Sequence, residues 1–243
     1  ESSLKRKQLN LHQQVIVLYE AARALQFLHA NNILHRDIKP ENILVFSLET
    51  SAPVHVKLSD FGTARLVSDQ PATMTRGVGT PLYMAPELFG KQNYERSADI
   101  YSFGMLIWSV IHQQEPYDTS EFQFPWDVPN FVKAGNRLPI SDDMCPAEIA
   151  QLIRDCWQQE PADRPQISQV AQQLAALLKN MNSKLQWIIE QKNNNASEKW
   201  IASAELRCLD EIHINYGYTV SLVIAGIINK RFAQCNSYQN FCG

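Results

Sequence analysis

The side chains best suited to chemistry fall in three short segments of the sequence. Residues 35–42 read His-Arg-Asp-Ile-Lys-Pro-Glu-Asn, and residues 60–62 read Asp-Phe-Gly. Residues 85–87, further along the chain, read Ala-Pro-Glu. A carboxylate can accept a proton, and carboxylate and amide oxygens are the ligands that Mg²⁺ prefers. Taken alone, Asp37 would more simply be a hydrogen-bonded loop carboxylate.

The spacing of these segments is highly specific. The five fixed positions of His-Arg-Asp-x-Lys-x-x-Asn arise by chance in about one in 10⁴ chains of this length. With Asp-Phe-Gly and Ala-Pro-Glu following in order, the sequence resembles the eukaryotic protein kinases from about residue 3 to residue 180. The resemblance implies phosphoryl transfer, a reaction in which the protein mainly positions groups and neutralises charge.

The resemblance also implies roles for individual residues and two cofactors, ATP and Mg²⁺. Asp37 resembles the base that accepts the proton of the substrate hydroxyl, and Lys39 would balance charge on the γ-phosphate. Asn42 and Asp60 would bind Mg²⁺ and so hold the nucleotide. Leu44 would form the floor under the adenine ring.

Several matched residues resemble structural positions of the family. Asp99 is a carboxylate inside an otherwise apolar segment, so it must be hydrogen-bonded. In kinases the matching residue accepts backbone N–H groups of the His-Arg-Asp loop. Glu87 and Arg164 would form a bidentate pair that fixes geometry. Three further positions are interpreted as structural: His35, Phe61 and Gly62.

Two features narrow the substrate class. Lys39 in the catalytic loop and Thr80 in the segment 79–87 resemble serine/threonine kinases, with Thr80 facing the substrate. Cys156-Trp157 and Arg164-Pro165 resemble the tyrosine-kinase-like branch. The expected activity is therefore that of a tyrosine-kinase-like enzyme acting on Ser or Thr of a protein substrate, and dual specificity stays open.

Arg36 precedes the proposed base, and such an arginine can order a loop by pairing with a phosphate on it. The candidate phosphate acceptors are Ser68, Thr73 and Thr75. For any one of these three, an inert solvated hydroxyl is the alternative interpretation.

Hydrophobic periodicity predicts the elements that position these residues. Apolar residues three and four apart predict a helix over 11–29, and a nearly all-apolar run predicts a central buried helix over 97–111. Two short β-type runs, 42–46 and 54–58, predict a hairpin. The expected fold is mainly α: a kinase-like C-terminal lobe, with a helical bundle around the buried central helix and one small β-hairpin.

The predicted domain organisation has two parts. Residues 1–180 would form the kinase lobe, with the catalytic loop at 35–44 and the activation segment at 60–87. Two further helices are marked by apolar residues between 149 and 156 and between 167 and 177. Residues 181–243 would be an extension of unknown role, and the asparagine-rich stretches 180–182 and 192–195 indicate linkers.

The N-terminal β-lobe of a complete kinase is expected to be missing. None of the nine glycines forms a G-x-G-x-x-G loop, and only 34 residues precede His35. Transfer needs a phosphate-covering loop and a lysine–glutamate pair. We therefore expect this chain alone to be inactive, with an N-terminal lobe supplied in cis. The alternative is a non-catalytic scaffold module resembling a pseudokinase.

Composition argues against several other classes of protein. The formal net charge is −3, from 22 basic and 25 acidic residues, which argues against the basic surface that binds nucleic acid. Five cysteines without metal-type spacing indicate free thiols in a reducing compartment. The apolar stretch 217–228 is too short for a membrane span. The expected location is the cytoplasm, including the cytosolic part of a receptor-type protein.

Overall fold

The computed structural model describes residues 9–48, 55–67, 79–90, 95–118, 121–124 and 126–194. Helices dominate these residues, and four very short strands accompany them. The helices are α1 (Leu11–Ala30), α2 (Arg96–His112), α3 (Asp127–Lys133), α4 (Ala147–Cys156) and α5 (Ile167–Asn194). The strands are β1 (Ile33–Leu34), β2 (Ile43–Val45), β3 (Val56–Leu58) and β4 (Arg65–Leu66).

Helix α1 confirms the helix predicted over 11–29, and its ends follow from side-chain chemistry. The Asn10 side chain accepts a hydrogen bond from the Gln13 N–H at 2.9 Å, and the Asn10 N–H donates to the side-chain Oε1 of Gln13 at 3.2 Å. This capping box satisfies two of the amides that a helix start leaves without a partner. The helix ends at Ala30 with Asn31 as its C-cap, and Asn32 then turns the chain in the left-handed region at φ 57°.

Helix α2 is the buried centre of the fold, as the apolar run predicts. Every residue from Ala98 to His112 is buried. Its packing against α4 is close, because a Cβ added at Gly104 would lie 2.8 Å from the Cβ of Cys156. Cys156 and Cys145 are free thiols, as the sequence indicates, and both are buried.

The predicted hairpin is confirmed. Strands β2 and β3 pair antiparallel, with Leu44 opposite Lys57. Glu20 of α1 fixes the hairpin, because its carboxylate accepts the backbone N–H groups of His55 and Val56, each at 2.8 Å. A second antiparallel pair, β1 with β4, was not predicted. Its two-residue strands are too short to carry an alternating pattern.

Helix α5 corrects the interpretation of residues 180–182 and 192–194 as linker. The helix continues through both stretches to Asn194. Asparagine is only a weak helix former, and tertiary contacts readily override such a preference. One such contact joins Asn182 to His12 of α1, with 2.9 Å between Oδ1 and Nε2. Within the described residues, no helix combines the length and the apolar character needed to cross a membrane.

Candidate active site

Asp37, Lys39 and Thr80 form a compact hydrogen-bonded cluster. The Thr80 hydroxyl donates to Asp37 Oδ1 at 2.9 Å and accepts from Lys39 Nζ at 2.6 Å. Lys39 Nζ also lies 2.6 Å from Asp37 Oδ2. The Asp37 side chain is 10% exposed and the Lys39 side chain 19%. The carboxylate is therefore charge-paired and close to solvent, where a second reactant could reach it.

Asn42 completes one side of the cluster. Residues Pro40–Asn42 form a 3₁₀ turn that buries the Asn42 side chain directly behind Asp37. The Asn42 amide nitrogen donates to the Asp37 carbonyl at 2.7 Å and to Asp37 Oδ2 at 3.1 Å. These two bonds fix the orientation of the amide, and they direct its oxygen away from Asp37. Leu44, on β2, follows two residues later.

Backbone contacts bring Asp60 to the same edge of the molecule. The N–H and the hydroxyl of Ser59 donate to the Asn42 carbonyl at 2.8 and 3.0 Å. Thr63 donates its hydroxyl to the His35 carbonyl at 2.9 Å. Asp60 itself adopts a left-handed conformation at φ 62°, and its Oδ1 accepts the N–H of Gly62 at 3.4 Å. The segment 59–63 is thereby tied to the catalytic loop on both sides of Asp60.

His35 lies beneath the loop and is fully buried. Its Nε2 is 3.1 Å from the Ser59 carbonyl, which can only accept, so this nitrogen carries the proton. Burial lowers the pKa of His35, although the nearby charges of Asp99, Asp37 and Asp60 act in the opposite direction. The Phe61 ring packs edge-on against the imidazole, with 5.5 Å between the ring centres.

Asp99 holds the backbone of the catalytic loop. It is fully buried, and it accepts the N–H groups of His35 at 3.0 Å and Arg36 at 2.9 Å. His29 Nε2 contacts the same carboxylate at 2.9 Å. Burial alone would raise the pKa of Asp99, but the His29 contact and the two backbone donors lower it overall. Arg36 sits at φ 69°, a conformation that costs energy for a residue other than glycine, and Asp99 stabilises it.

Glu87 and Arg164 form a two-pronged ion pair. Arg164 Nη1 lies 2.7 Å from Glu87 Oε1, and Nη2 lies 2.8 Å from Oε2. Arg164 Nη1 also donates to the Ser97 carbonyl at 3.0 Å, at the start of α2. Parallel bonds of this kind fix the mutual orientation of two segments. The pair thus connects the end of the segment that carries Thr80 to the helical core.

Arg36 points toward the segment that follows Asp60. Its Nε donates to the Thr63 carbonyl. The three hydroxyl residues predicted to accept a phosphate, Ser68, Thr73 and Thr75, lie outside the described residues.

The donor set fits a magnesium-bound nucleotide. Mg²⁺ is usually held by one or two protein oxygens together with the phosphates of its nucleotide. Asn42 and Asp60 provide an amide and a carboxylate at one edge. Within the described part of the chain, no group of three or more His, Cys, Asp or Glu side chains could hold a metal ion without such help.

A family comparison agrees with this geometry. The family model for the protein kinase domain matches residues 2–174. The chain belongs to the protein kinase domain family. This kinase domain is 35% identical over 170 residues to a probable serine/threonine-protein kinase of Dictyostelium discoideum, covering 70% of this chain and 10% of that protein.

Two other relatives carry similar names. A probable LIM domain-containing serine/threonine-protein kinase of Dictyostelium discoideum is 34% identical over 180 residues, which is 74% of this chain and 26% of that protein. A putative serine/threonine-protein kinase/receptor of Acanthamoeba polyphaga mimivirus is 39% identical over 171 residues, 70% of this chain and 10% of that protein. The chain thus spans between a tenth and about a quarter of the length of these relatives.

Two polar residues of the kinase domain near the site were not singled out from the sequence. Glu41 is half-buried, and burial raises the pKa of its carboxyl. Glu41 Oε2 and the Tyr83 hydroxyl are buried, and neither has a hydrogen-bond partner among the described residues. Glu41 lies inside the catalytic-loop motif, so its position was available from the sequence. Its burial was not, because that depends on the fold around it.

Proposed function

We propose that this kinase domain transfers the γ-phosphate of ATP to the Ser or Thr hydroxyl of a protein substrate. The cluster of Asp37, Lys39 and Thr80 carries the proposal, because it sets a carboxylate, an ammonium and a hydroxyl within 3 Å of one another. The names of the relatives support a protein kinase function, and they do not favour a purely scaffolding role.

Asp37 is the proposed catalytic base. Its Oδ1 already accepts a hydroxyl proton, that of Thr80, at 2.9 Å, and a substrate hydroxyl would make the same kind of contact. Asn42 and Lys39 hold the carboxylate in place from the Oδ2 side. A correctly placed base typically contributes about 10²–10⁴-fold to the rate. Lys39 would in addition balance negative charge as the phosphoryl group moves.

Asn42 and Asp60 are the proposed ligands for Mg²⁺, and Leu44 is the proposed floor of the nucleotide site. When bound, ATP and Mg²⁺ supply the transferable phosphoryl group and the positive charge that neutralises it. The two hydrogen bonds from Ser59 to the Asn42 carbonyl support this assignment, because they hold the two segments that carry the proposed ligands side by side.

The tyrosine-kinase-like subtype is also a proposal. Lys39 and Thr80 support serine/threonine specificity, since their direct contact is made beside Asp37. The Cys156-Trp157 and Arg164-Pro165 pairs support the tyrosine-kinase-like branch by their resemblance to it. We propose the cytosol as the place of action.

Transfer at ordinary kinase rates would need an N-terminal lobe in cis. A kinase binds its nucleotide against a glycine-rich loop and a lysine–glutamate pair as well as the Asp60 site. No G-x-G-x-x-G occurs in the 243 residues. We therefore propose that the 243-residue chain, purified by itself, binds ATP poorly and turns over negligibly. The proposed extension over 181–243 has no assigned role.

Arg36 is the proposed receptor for a regulatory phosphate on Ser68, Thr73 or Thr75. Its contact with the Thr63 carbonyl supports this proposal, because Thr63 lies only a few residues before Ser68 in the sequence. Mass spectrometry of the active protein tests this directly. An active protein with none of the three residues modified would overturn it.

The activity test compares two polypeptides, the 243-residue chain and the product of its complete coding sequence. Each is incubated with [γ-³²P]ATP, Mg²⁺ and a protein substrate mixture, and the labelled residues are identified by phosphoamino acid analysis. We expect phosphoserine or phosphothreonine from the complete product and almost none from the 243-residue chain. Labelling of tyrosine alone would contradict the specificity, and full activity of the 243-residue chain would contradict the need for the N-terminal lobe.

A further inference from the structure

Two large aromatic side chains stand exposed next to helix α3. The rings of Phe124 and Trp126 stack with 5.0 Å between their centres and planes only 1° apart. Phe124 is 55% exposed and Trp126 is 58% exposed. Single exposed apolar residues are common, but two stacked aromatic rings form a continuous apolar face. We call this pair the aromatic platform.

Hydrogen bonds connect the backbone of both platform residues to helix α3. The Phe124 N–H donates to Asp127 Oδ2 at 2.7 Å, and the Asp127 N–H donates back to the Phe124 carbonyl at 3.0 Å. The Trp126 carbonyl accepts the N–H of Asn130 at 3.0 Å, inside α3. Aromatic side chains have few rotatable bonds, so they lose little conformational entropy on binding, and the hydrogen bonds to α3 reduce that loss further.

A second set of aromatic rings anchors this region to the core. Phe122 packs edge-on against Phe131 and Tyr117, with ring centres 5.2 and 5.0 Å apart. Tyr117 is buried, at 5% exposure. The core contacts in this region are therefore made by these three rings, whereas Phe124 and Trp126 keep more than half of their surface open.

The charge of the surrounding sequence defines the partner. Residues 113–133 contain four acidic residues and one basic residue, Lys133 at the end of α3. The acidic positions are Glu115, Asp118, Glu121 and Asp127. An aromatic face in a negatively charged setting favours a cation that can stack on a ring. Arginine meets both needs better than lysine, because its guanidinium is planar and weakly hydrated.

The chain does not supply this cation from its own described residues. The cation–ring contacts in the described part of the chain involve Phe46 and Tyr101, and none involves Phe124 or Trp126. The arginine that follows α3, Arg137, lies over the Tyr101 ring and donates to the Trp157 carbonyl at 2.8 Å.

We propose that the aromatic platform is a docking site for an arginine-containing segment of a protein partner. The site is separate from the catalytic cluster and does not depend on transfer activity. Helix α3 packs against the 3₁₀ turns Pro81–Tyr83 and Pro86–Phe89, which follow Thr80. A partner held by the aromatic platform would therefore lie on the side of the molecule that carries Thr80.

The test measures binding of a fluorescein-labelled peptide of four Arg-Gly repeats to the 243-residue chain by fluorescence anisotropy. The comparison peptide replaces each arginine with lysine, and the variants are Trp126→Ala and Trp126→Phe. Trp187→Ala is the matched control, because Trp187 is exposed to a similar extent, 61%, on α5. Thermal melts followed by circular dichroism check that each variant is folded.

We expect Trp126→Ala to weaken arginine-peptide binding about fivefold, the loss of one cation–π contact of roughly 1 kcal/mol. Trp126→Phe should lose less, Trp187→Ala should bind like the wild type, and the lysine peptide should bind more weakly. Equal binding by Trp126→Ala and Trp187→Ala would overturn the proposal. A concentration-dependent dimer that Trp126→Ala abolishes, without arginine-peptide binding, would overturn it in favour of self-association.

Discussion

Replacement of Asp99 by asparagine tests how the catalytic loop is held. Asparagine keeps the shape of the side chain but has one acceptor oxygen where aspartate has two. In the wild type, Oδ2 accepts the His35 N–H and Oδ1 accepts the Arg36 N–H. Whichever way the new amide turns, one of these buried backbone donors faces an NH₂ group and loses its acceptor.

The structure sets the size of the expected effect. A buried donor without a partner costs about 1–3 kcal/mol, and the remaining bond loses the strength that the charge gave it. We therefore expect Asp99→Asn to lower the free energy of unfolding by about 2–4 kcal/mol. For a chain of this size, that loss lowers the melting temperature by roughly 5–15 °C.

The pH dependence of this loss has a definite sign. The pKa of Asp99 is lowered in the folded state, so its charge stabilises the fold above the ordinary value of about 3.9. That contribution is lost as the pH falls through the lower folded pKa. The difference in stability between wild type and Asp99→Asn should therefore shrink as the pH falls below about 4.

The loss of stability is measured by urea unfolding at several pH values. The loosening of the loop is measured by hydrogen exchange at the His35 and Arg36 amides. Asp155→Asn in α4 is the matched control, because Asp155 accepts one exposed bond from Gln151 at 2.7 Å. The control should change the free energy of unfolding by less than about 0.5 kcal/mol. If Asp99→Asn costs no more than the control, and the two amides exchange no faster, Asp99 does not hold the loop.

Three further predictions concern packing and charge. Gly104→Ala should lower the free energy of unfolding by about 1–3 kcal/mol, because the alanine Cβ would collide with Cys156. A variant that is more stable than the wild type in urea unfolding would contradict this close contact between α2 and α4. Burial lowers the pKa of His112, whose neutral Nε2 accepts the Ser141 N–H at 3.2 Å. The free energy of unfolding should therefore fall as the pH drops below about 6.5. His112→Gln should make the melting temperature depend less on pH between about pH 7 and pH 5. Burial raises the pKa of Glu41, so the charge of this carboxylate destabilises the fold at neutral pH. Glu41→Gln should have a higher melting temperature than the wild type at about pH 7 but not at about pH 4. Equal melting temperatures at both pH values would refute this.

The sequence predicted those parts of the fold that local pattern determines. The three- and four-residue spacing of apolar side chains located α1, and the nearly continuous apolar run located α2. Two β-type runs with a turn between them located the β2–β3 hairpin. The length of α5 was underestimated, because contacts with α1 outweigh the weak helix preference of the asparagines at 180 and 182.

The sequence singled out the residues proposed for the candidate site, but not the contacts that hold them in place. Motif spacing alone singled out Asp37, Asn42 and Asp60. The contact of His29 with Asp99 spans 70 positions, and that of Glu20 with the N–H of His55 spans 35. Contacts over such separations leave no periodic signal in one sequence, so they became visible only in the structure.

The role of Asp37 is tested most directly by phosphoryl transfer from ATP to a Ser/Thr peptide. The product of the complete coding sequence is compared with its Asp37→Asn variant, and ATP binding is measured on the same samples. If Asp37 accepts the hydroxyl proton, transfer falls about 10²–10⁴-fold while ATP affinity changes little. Transfer by Asp37→Asn at the wild-type rate would contradict the proposed active site.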